Sequence, residues 1–209
     1  MTFPTHTPAK KEFTLPTEAL RQAIEKEWNG QEKYVSAKMP LTSLAYTAID
    51  RIAPQAEAII EALLVYADTD TLCYRAPEEE LAARQKAGWD VVLGWSSLLL
   101  GVKWQVVEGI MPLDQPPELH AALRAYLAKQ DAFGLAAFSV LAGGFSSLVL
   151  AKAVVENHLT AAEAYELSRL EENYSAEKWG RDTEASERSA RLKDEMLAAG
   201  RFLKLLDAR

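Results

Sequence analysis

From Ala132 to Ala151 the chain runs twenty residues without a charge, bounded by Asp131 and Lys152. A helix that is apolar all round has two homes, the hydrocarbon of a bilayer or the centre of a bundle. Its content favours the bundle. Gly134, Ser139, Gly143, Gly144, Ser146 and Ser147 dilute the hydrophobicity, and Lys129 and Lys152 flank both ends, giving no orientation bias. Ser139, Gly143 and Ser147 recur at the four-residue spacing of small side chains that lets helices approach closely, in soluble cores as in lipid. We read one helix over about 131–157, buried by its neighbours. A membrane-associated helical protein using 132–151 is the competing reading.

The neighbours needed to bury it are legible. Thr17 is placed to cap a helix whose stripe is Leu20, Ala23, Ile24 and Trp28, with Asn29-Gly30 as its stop. Thr42 offers a cap for a second, Pro54 opens a third, and 78–100 continues helical with Gly88 as a possible break. Beyond Pro116 the pattern is helical over 117–129, 131–157 and 160–200. Alternation predicts short strands at 34–39 and 102–107, and 68–75, rich in β-branched and aromatic residues, reads as extended. The expected architecture is mainly α with a small β-containing N-terminal part, an α+β arrangement. Its soft boundary divides 1–40 from a helical body over 41–209.

A chain of 209 residues with a quarter of them charged can bury about 70% of its unfolded surface without disulfides or metals. A formal net charge of −7 argues against nucleic acid or an anionic membrane surface as the main partner. Cys73 is the only cysteine, which fits a reducing compartment, and 1–11 lacks the pattern of a signal or transit peptide. The sequence therefore reads as cytoplasmic and monomeric.

The search for chemistry returns little. Gly143-Gly144 has no following Lys-Ser/Thr, so no phosphate loop is present. His6, His120 and His158 stand apart, and no Glu-x-x-His, His-x-x-x-His or Cys-x-x-Cys spacing offers metal ligands. No cofactor and no metal are expected. Asp68 and Asp70 would project from one face of an extended segment, but the glycine and downstream glutamate of a calcium loop are missing. Caps and turn hydrogen bonds, or a partner-facing surface, suit them better. Glu171 and Glu172 are adjacent and so point about 100° apart on a helix, which rules out a facing acid/base pair. They are either a solvated face or a charged contact among the aromatics Tyr165, Tyr174 and Trp179. Trp28, Trp89, Trp95 and Trp179 read as core anchors rather than as interface hot spots. A small-molecule enzyme built on Asp68, Asp70, Cys73 and Glu171 remains the third reading, without a motif to support it.

Four ordered blocks take the reading further. They are Leu15–Leu20 leading to Glu27-Trp28-Asn29-Gly30-Gln31; Asp68–Arg75; Trp89-Asp90 with Trp95; and Leu167–Tyr174 followed by Trp179-Gly180. Together they resemble the assembly chaperone family that binds the alpha subunit of the ATP synthase F(1) head, known from mitochondria and alphaproteobacteria. Val91 stands where the family has proline, the N-terminal hairpin region looks reduced, and Arg181-Asp182-Thr183-Glu184-Ala185 departs from the family's usual stretch.

The resemblance implies a small β-containing part on a helical body, no enzymatic activity, no cofactor, and the F(1) alpha subunit as partner. It also implies a partner-binding surface, for which we select Asp68, Asp70, Arg75, Glu171, Glu172, Tyr174 and Trp179, with Glu171 as the central acidic position.

Overall fold

The computed structural model describes residues 3–180 and 182–207. Helix α1 (Glu18–Trp28) starts where Thr17 Oγ1 accepts from the Leu20 amide at 3.2 Å, and it buries Leu20, Ala23 and Ile24. The same hydroxyl donates to the Leu205 carbonyl at 2.7 Å, tying the first helix to the last. Gly30 at φ 76 ends it in the left-handed region that glycine enters freely.

Residues 34–39 are not a strand. They form a 3₁₀ turn at Ser36–Lys38 running into α2 (Pro40–Thr47). Thr42 does not cap that helix; Pro40 takes its first position, where a missing N–H costs nothing. The α2 N-terminus is capped from outside instead. The Glu27 carboxylate on α1 accepts from the Leu41 and Thr42 amides, both at 2.8 Å, and from the Thr42 hydroxyl at 2.7 Å. A negative charge on free N–H groups at a helix start is favourable by both hydrogen bonding and dipole.

The helical path then widens through a π turn at Ala48–Ile52 and tightens through a 3₁₀ turn at Ala53–Gln55 before α3 (Ala56–Leu64). Pro54, which cannot donate to the preceding turn, explains the irregularity. Helix α4 (Glu79–Leu100) runs unbroken through Gly88, where a Cβ would sit 3.0 Å from the Leu167 side chain. That glycine serves close approach, not a break.

The expected strand at 102–107 shortens to β2 (Val107–Glu108), paired in parallel with β1 (Tyr74–Arg75) in the register Tyr74 with Val107. An isolated antiparallel bridge joins His6 to Glu12 near the N-terminus. Helix α5 (Pro117–Leu127) follows.

The long apolar run folds as two helices, α6 (Ala132–Phe145) and α7 (Leu148–Val155), of 14 and 8 residues. Each has its own cap: Asp131 accepts from the Gly134 amide at 2.7 Å, and Ser147 from the Leu150 amide at 3.0 Å. Ser146, at φ 51, makes the turn between them. No helix among the described residues is long and apolar enough to cross a membrane, so the spanning reading of 132–151 is not sustained. The core reading of the run holds. Phe138, Leu141, Phe145, Leu148 and Leu150 are fully buried within one cluster that extends from Phe13 to Leu203.

The expected close contact at Gly143 is absent. Its neighbour Gly144 makes it, since a Cβ there would collide with the Met196 side chain. Met196 lies on α10 (Thr183–Asp207), which follows α8 (Ala161–Ser168) and α9 (Leu170–Trp179). The helical stretch expected over 160–200 is thus three helices. The fold is mainly helical with a small β part.

Candidate functional site

The segment 68–75 is a set of locks rather than an extended strand. Asp70 caps the 3₁₀ turn Thr71–Cys73 by accepting from the Leu72 amide at 3.0 Å. Its second oxygen accepts from the Val149 amide at 3.1 Å, at the free N–H groups opening α7. Thr71 completes the junction, donating its amide and its hydroxyl to the Ser146 carbonyl, each at 3.0 Å. Asp70 is fully buried, and that burial pushes its carboxyl up to about 6 against the pull of its hydrogen bonds.

Asp68 faces the other way. It accepts from the Gln115 amide at 2.8 Å and lies 3.2 Å from His120 Nε2. Arg75 reaches inward with a guanidinium that donates to the Leu72 carbonyl at 2.5 Å and to Asp90 at 2.6 Å, stacked 5.2 Å over the Trp89 ring. Trp89 is buried and donates its indole N–H to the Leu167 carbonyl at 3.0 Å, which fixes α8 against α4.

On α9, Glu171 is exposed as a residue, but its carboxyl end lies against α4 and accepts from Gln85 Nε2 at 2.7 Å. Desolvation, then the charge of Glu172, raises its pKa above the ordinary carboxylate range. Glu172 itself is exposed and paired with Arg169 at 2.8 Å. Tyr174 is buried. Its hydroxyl donates to Glu78 at 2.5 Å and lies 3.2 Å from Glu80, and these carboxylates push the phenol up to about 12. Lys178 and Arg84 both stack on its ring and pair with Glu80. Trp179 is not the core anchor the sequence suggested: at the end of α9 it is 78% exposed.

Two sequence-distant blocks therefore converge. Asp68, Arg75 and Glu171 line one open groove of about 590 Å³, closed on its far side by Ile110, Leu113 and Asp114. Glu171, Glu172 and Trp179 line a second cleft of about 690 Å³ against the start of α10. Glu171 belongs to both. Asp70 and Tyr174, selected as surface residues, lie inside instead: the first joins 68–75 to α7, the second pins α9 to the start of α4. Both are supports of the grooved surface. Of the divergent stretch 181–185, Arg181 lies outside the described residues, and Thr183 to Ala185 open α10.

Sequence reasoning missed Gln85, Asp114 and the exposed pair Ile110 and Met111. The last had a legible signal, two large apolar residues side by side between the turn residues Gly109 and Pro112. Cys73 is buried in an apolar setting that pushes its thiol well above the usual range, which makes it inert. No group of three or more His, Cys, Asp or Glu suited to a metal occurs among the described residues.

The described residues form a mainly helical body whose two grooves are lined by acidic and aromatic side chains. The sequence profile described as ATP12 chaperone protein matches residues 3–97. The crystal structure of Atp12 from Paracoccus denitrificans superposes with a TM-score of 0.92 at 39% identity, covering 98% of this chain and 88% of that one. A candidate chaperone from Agrobacterium tumefaciens superposes with a TM-score of 0.90 at 40% identity, covering 96% and 76%. The mitochondrial protein atp12 of Schizosaccharomyces pombe is 28% identical over 159 residues, and the match spans 71% of this chain and 55% of that protein. The chain belongs to the ATP12 chaperone family, a family of chaperones by its own description.

Proposed function

We propose that this chain is an ATP synthase assembly chaperone that binds the alpha subunit of the F(1) head and covers its beta-facing surface until alpha and beta assemble. An alpha subunit without its partner exposes a large apolar face, and such faces aggregate. A chaperone that binds that face withdraws the subunit from aggregation by mass action, with no nucleotide required. Beta then displaces it, because a permanent interface is larger and more apolar than a transient one. The protein works as a monomer in the cytoplasm, a setting equivalent to the mitochondrial matrix.

One observation carries this reading: Glu171, in the block that resembles the family's acidic signature, meets the Asp68–Arg75 block in a single groove. A carboxylate at the edge of solvent, with no cation against it among the described residues, suits a basic group on the alpha subunit. The test is light scattering of the alpha subunit diluted from denaturant, with and without equimolar chaperone. Suppressed scattering supports the reading; unchanged aggregation removes it.

A further inference from the structure

The connection from α4 to α5, residues 101–116, contains only Val107–Glu108 as regular structure. Irregular connections of this length in a compact domain are usually functional or disordered. This one is locked at its base. The Gly109 amide donates to the Arg75 carbonyl at 2.8 Å, the Gln115 amide to Asp68 at 2.8 Å, and the Gln115 side chain bridges the Gln105 amide and carbonyl at 2.9 and 3.0 Å. Above that base, Ile110 and Met111 are 96% and 68% exposed. A loop held by these four hydrogen bonds yet leaving its two large apolar tip residues in water is built to offer them to something else.

What it overhangs narrows the choice. The groove beneath is lined by Asp68, Asp114 and Glu171, with Arg75 its only guanidinium. Arg75 is already committed to Asp90 at 2.6 Å. Asp68 lies against His120, whereas Glu171 has only the neutral Gln85 amide, so among the described residues the carboxylates of the groove without an ion pair are Asp114 and Glu171. An acidic groove with an apolar rim complements a cation carried between apolar side chains.

We propose that this groove receives an extended segment of the partner in which one arginine or lysine is flanked by aliphatic side chains. The cation meets Asp114 and Glu171, and the aliphatics pack on Ile110 and Met111. This rests on the chaperone reading for its biological partner, but the recognition itself is testable without the alpha subunit.

The experiment is a ¹⁵N NMR titration of the full chain with blocked pentapeptides: Val-Leu-Arg-Leu-Val, its Glu counterpart Val-Leu-Glu-Leu-Val, and Gly-Gly-Arg-Gly-Gly. The arginine peptide is expected to shift the amides of Thr69, Gly109, Ile110 and Asp114 saturably. The glutamate and glycine peptides should bind about tenfold more weakly, as should the arginine peptide to Glu171→Gln or to the double variant Ile110→Ser, Met111→Ser. Ile110 and Met111 are exposed and Glu171→Gln keeps the shape of its side chain and an acceptor for Gln85, so unchanged spectra elsewhere show that the variants fold. Equal binding of the arginine and glutamate peptides, shifts confined to other surfaces, or variants without effect would overturn the proposal. Peptide binding without capture of the alpha subunit would remove the partner assignment and leave the groove's specificity standing. Capture of the alpha subunit unaffected by the double serine variant would overturn the loop's role alone.

Discussion

Gln85 Nε2 donates to Glu171 Oε1 at 2.7 Å while Gln85 Oε1 accepts from the Ala76 amide at 2.8 Å. A backbone N–H can only donate and a carboxylate can only accept, so the orientation of this amide is fixed by its partners. Gln85 is fully buried and thereby joins the end of β1, helix α4 and helix α9. Replacing it with alanine leaves the Ala76 amide and the Glu171 carboxylate without it. Loss of about 1–3 kcal/mol is expected for Gln85→Ala, measured by urea unfolding. A change smaller than the error of the extrapolation would show that the bridge does not hold the groove.

Glu171→Lys should leave the fold standing. The substitution removes the repulsion from Glu172 but leaves the buried Gln85 Nε2 without its acceptor, for a net cost of about 1–3 kcal/mol, a fall of roughly 2–12 °C in Tm at this size. Partner binding should be lost, because the groove's acidic end becomes basic. Since Glu171 titrates above the ordinary range, binding to a basic group should also weaken on acidification before ordinary surface ion pairs do. A Glu171→Lys chain that is unfolded by circular dichroism would make this residue structural.

Asp70 predicts an unusual pH dependence. Its folded pKa of about 6 lies above its ordinary 3.8, so between those values the folded state holds the extra proton. Its contribution to stability is therefore full below about 4 and is lost as pH rises towards 6. The amplitude is on the order of 3 kcal/mol. Asp70→Asn keeps one acceptor for the Leu72 or Val149 amide and has no proton to lose. Its curve should lack the loss between pH 4 and 6. Parallel stability curves for the two proteins would contradict the assignment.

Ser146→Gly should stabilise the chain. Ser146 sits at φ 51, where a side chain costs energy that glycine avoids, while its carbonyl, which receives both bonds from Thr71, is retained. A gain of about 0.5–1 kcal/mol is expected after the greater freedom of glycine in the unfolded chain is subtracted. Ser146→Val should lose more than that. Thermal unfolding of the two variants side by side reads the sign directly.

Periodicity made the helices and the central place of 132–151 legible, because a run without charges must be buried and enough amphipathic neighbours exist to bury it. The Thr17 cap was equally readable, since its partner amide lies three residues away. What sequence reading missed came mostly from tertiary contacts. Ser147, three residues before Leu150, was a cap signal for a break at Ser146 that the unbroken apolar run hid; the junction is held by Asp70 and Thr71, more than seventy residues earlier. Residues 34–39 alternate as a strand does, but no strand lies beside them, and Glu27 draws the chain into α2 instead. Glu171 was identified by resemblance; that it shares a groove with Asp68 and Arg75 follows only from the packing of α9 on α4.

The most direct test of the central claim is size-exclusion chromatography with multi-angle light scattering on the alpha subunit mixed with an equimolar amount of this chain, repeated with Glu171→Lys. The account predicts a one-to-one complex with the wild-type chain that dissolves when beta is added, and two separate peaks with the variant. Separate peaks for the wild-type chain, or a complex that Glu171→Lys forms equally well, would contradict it.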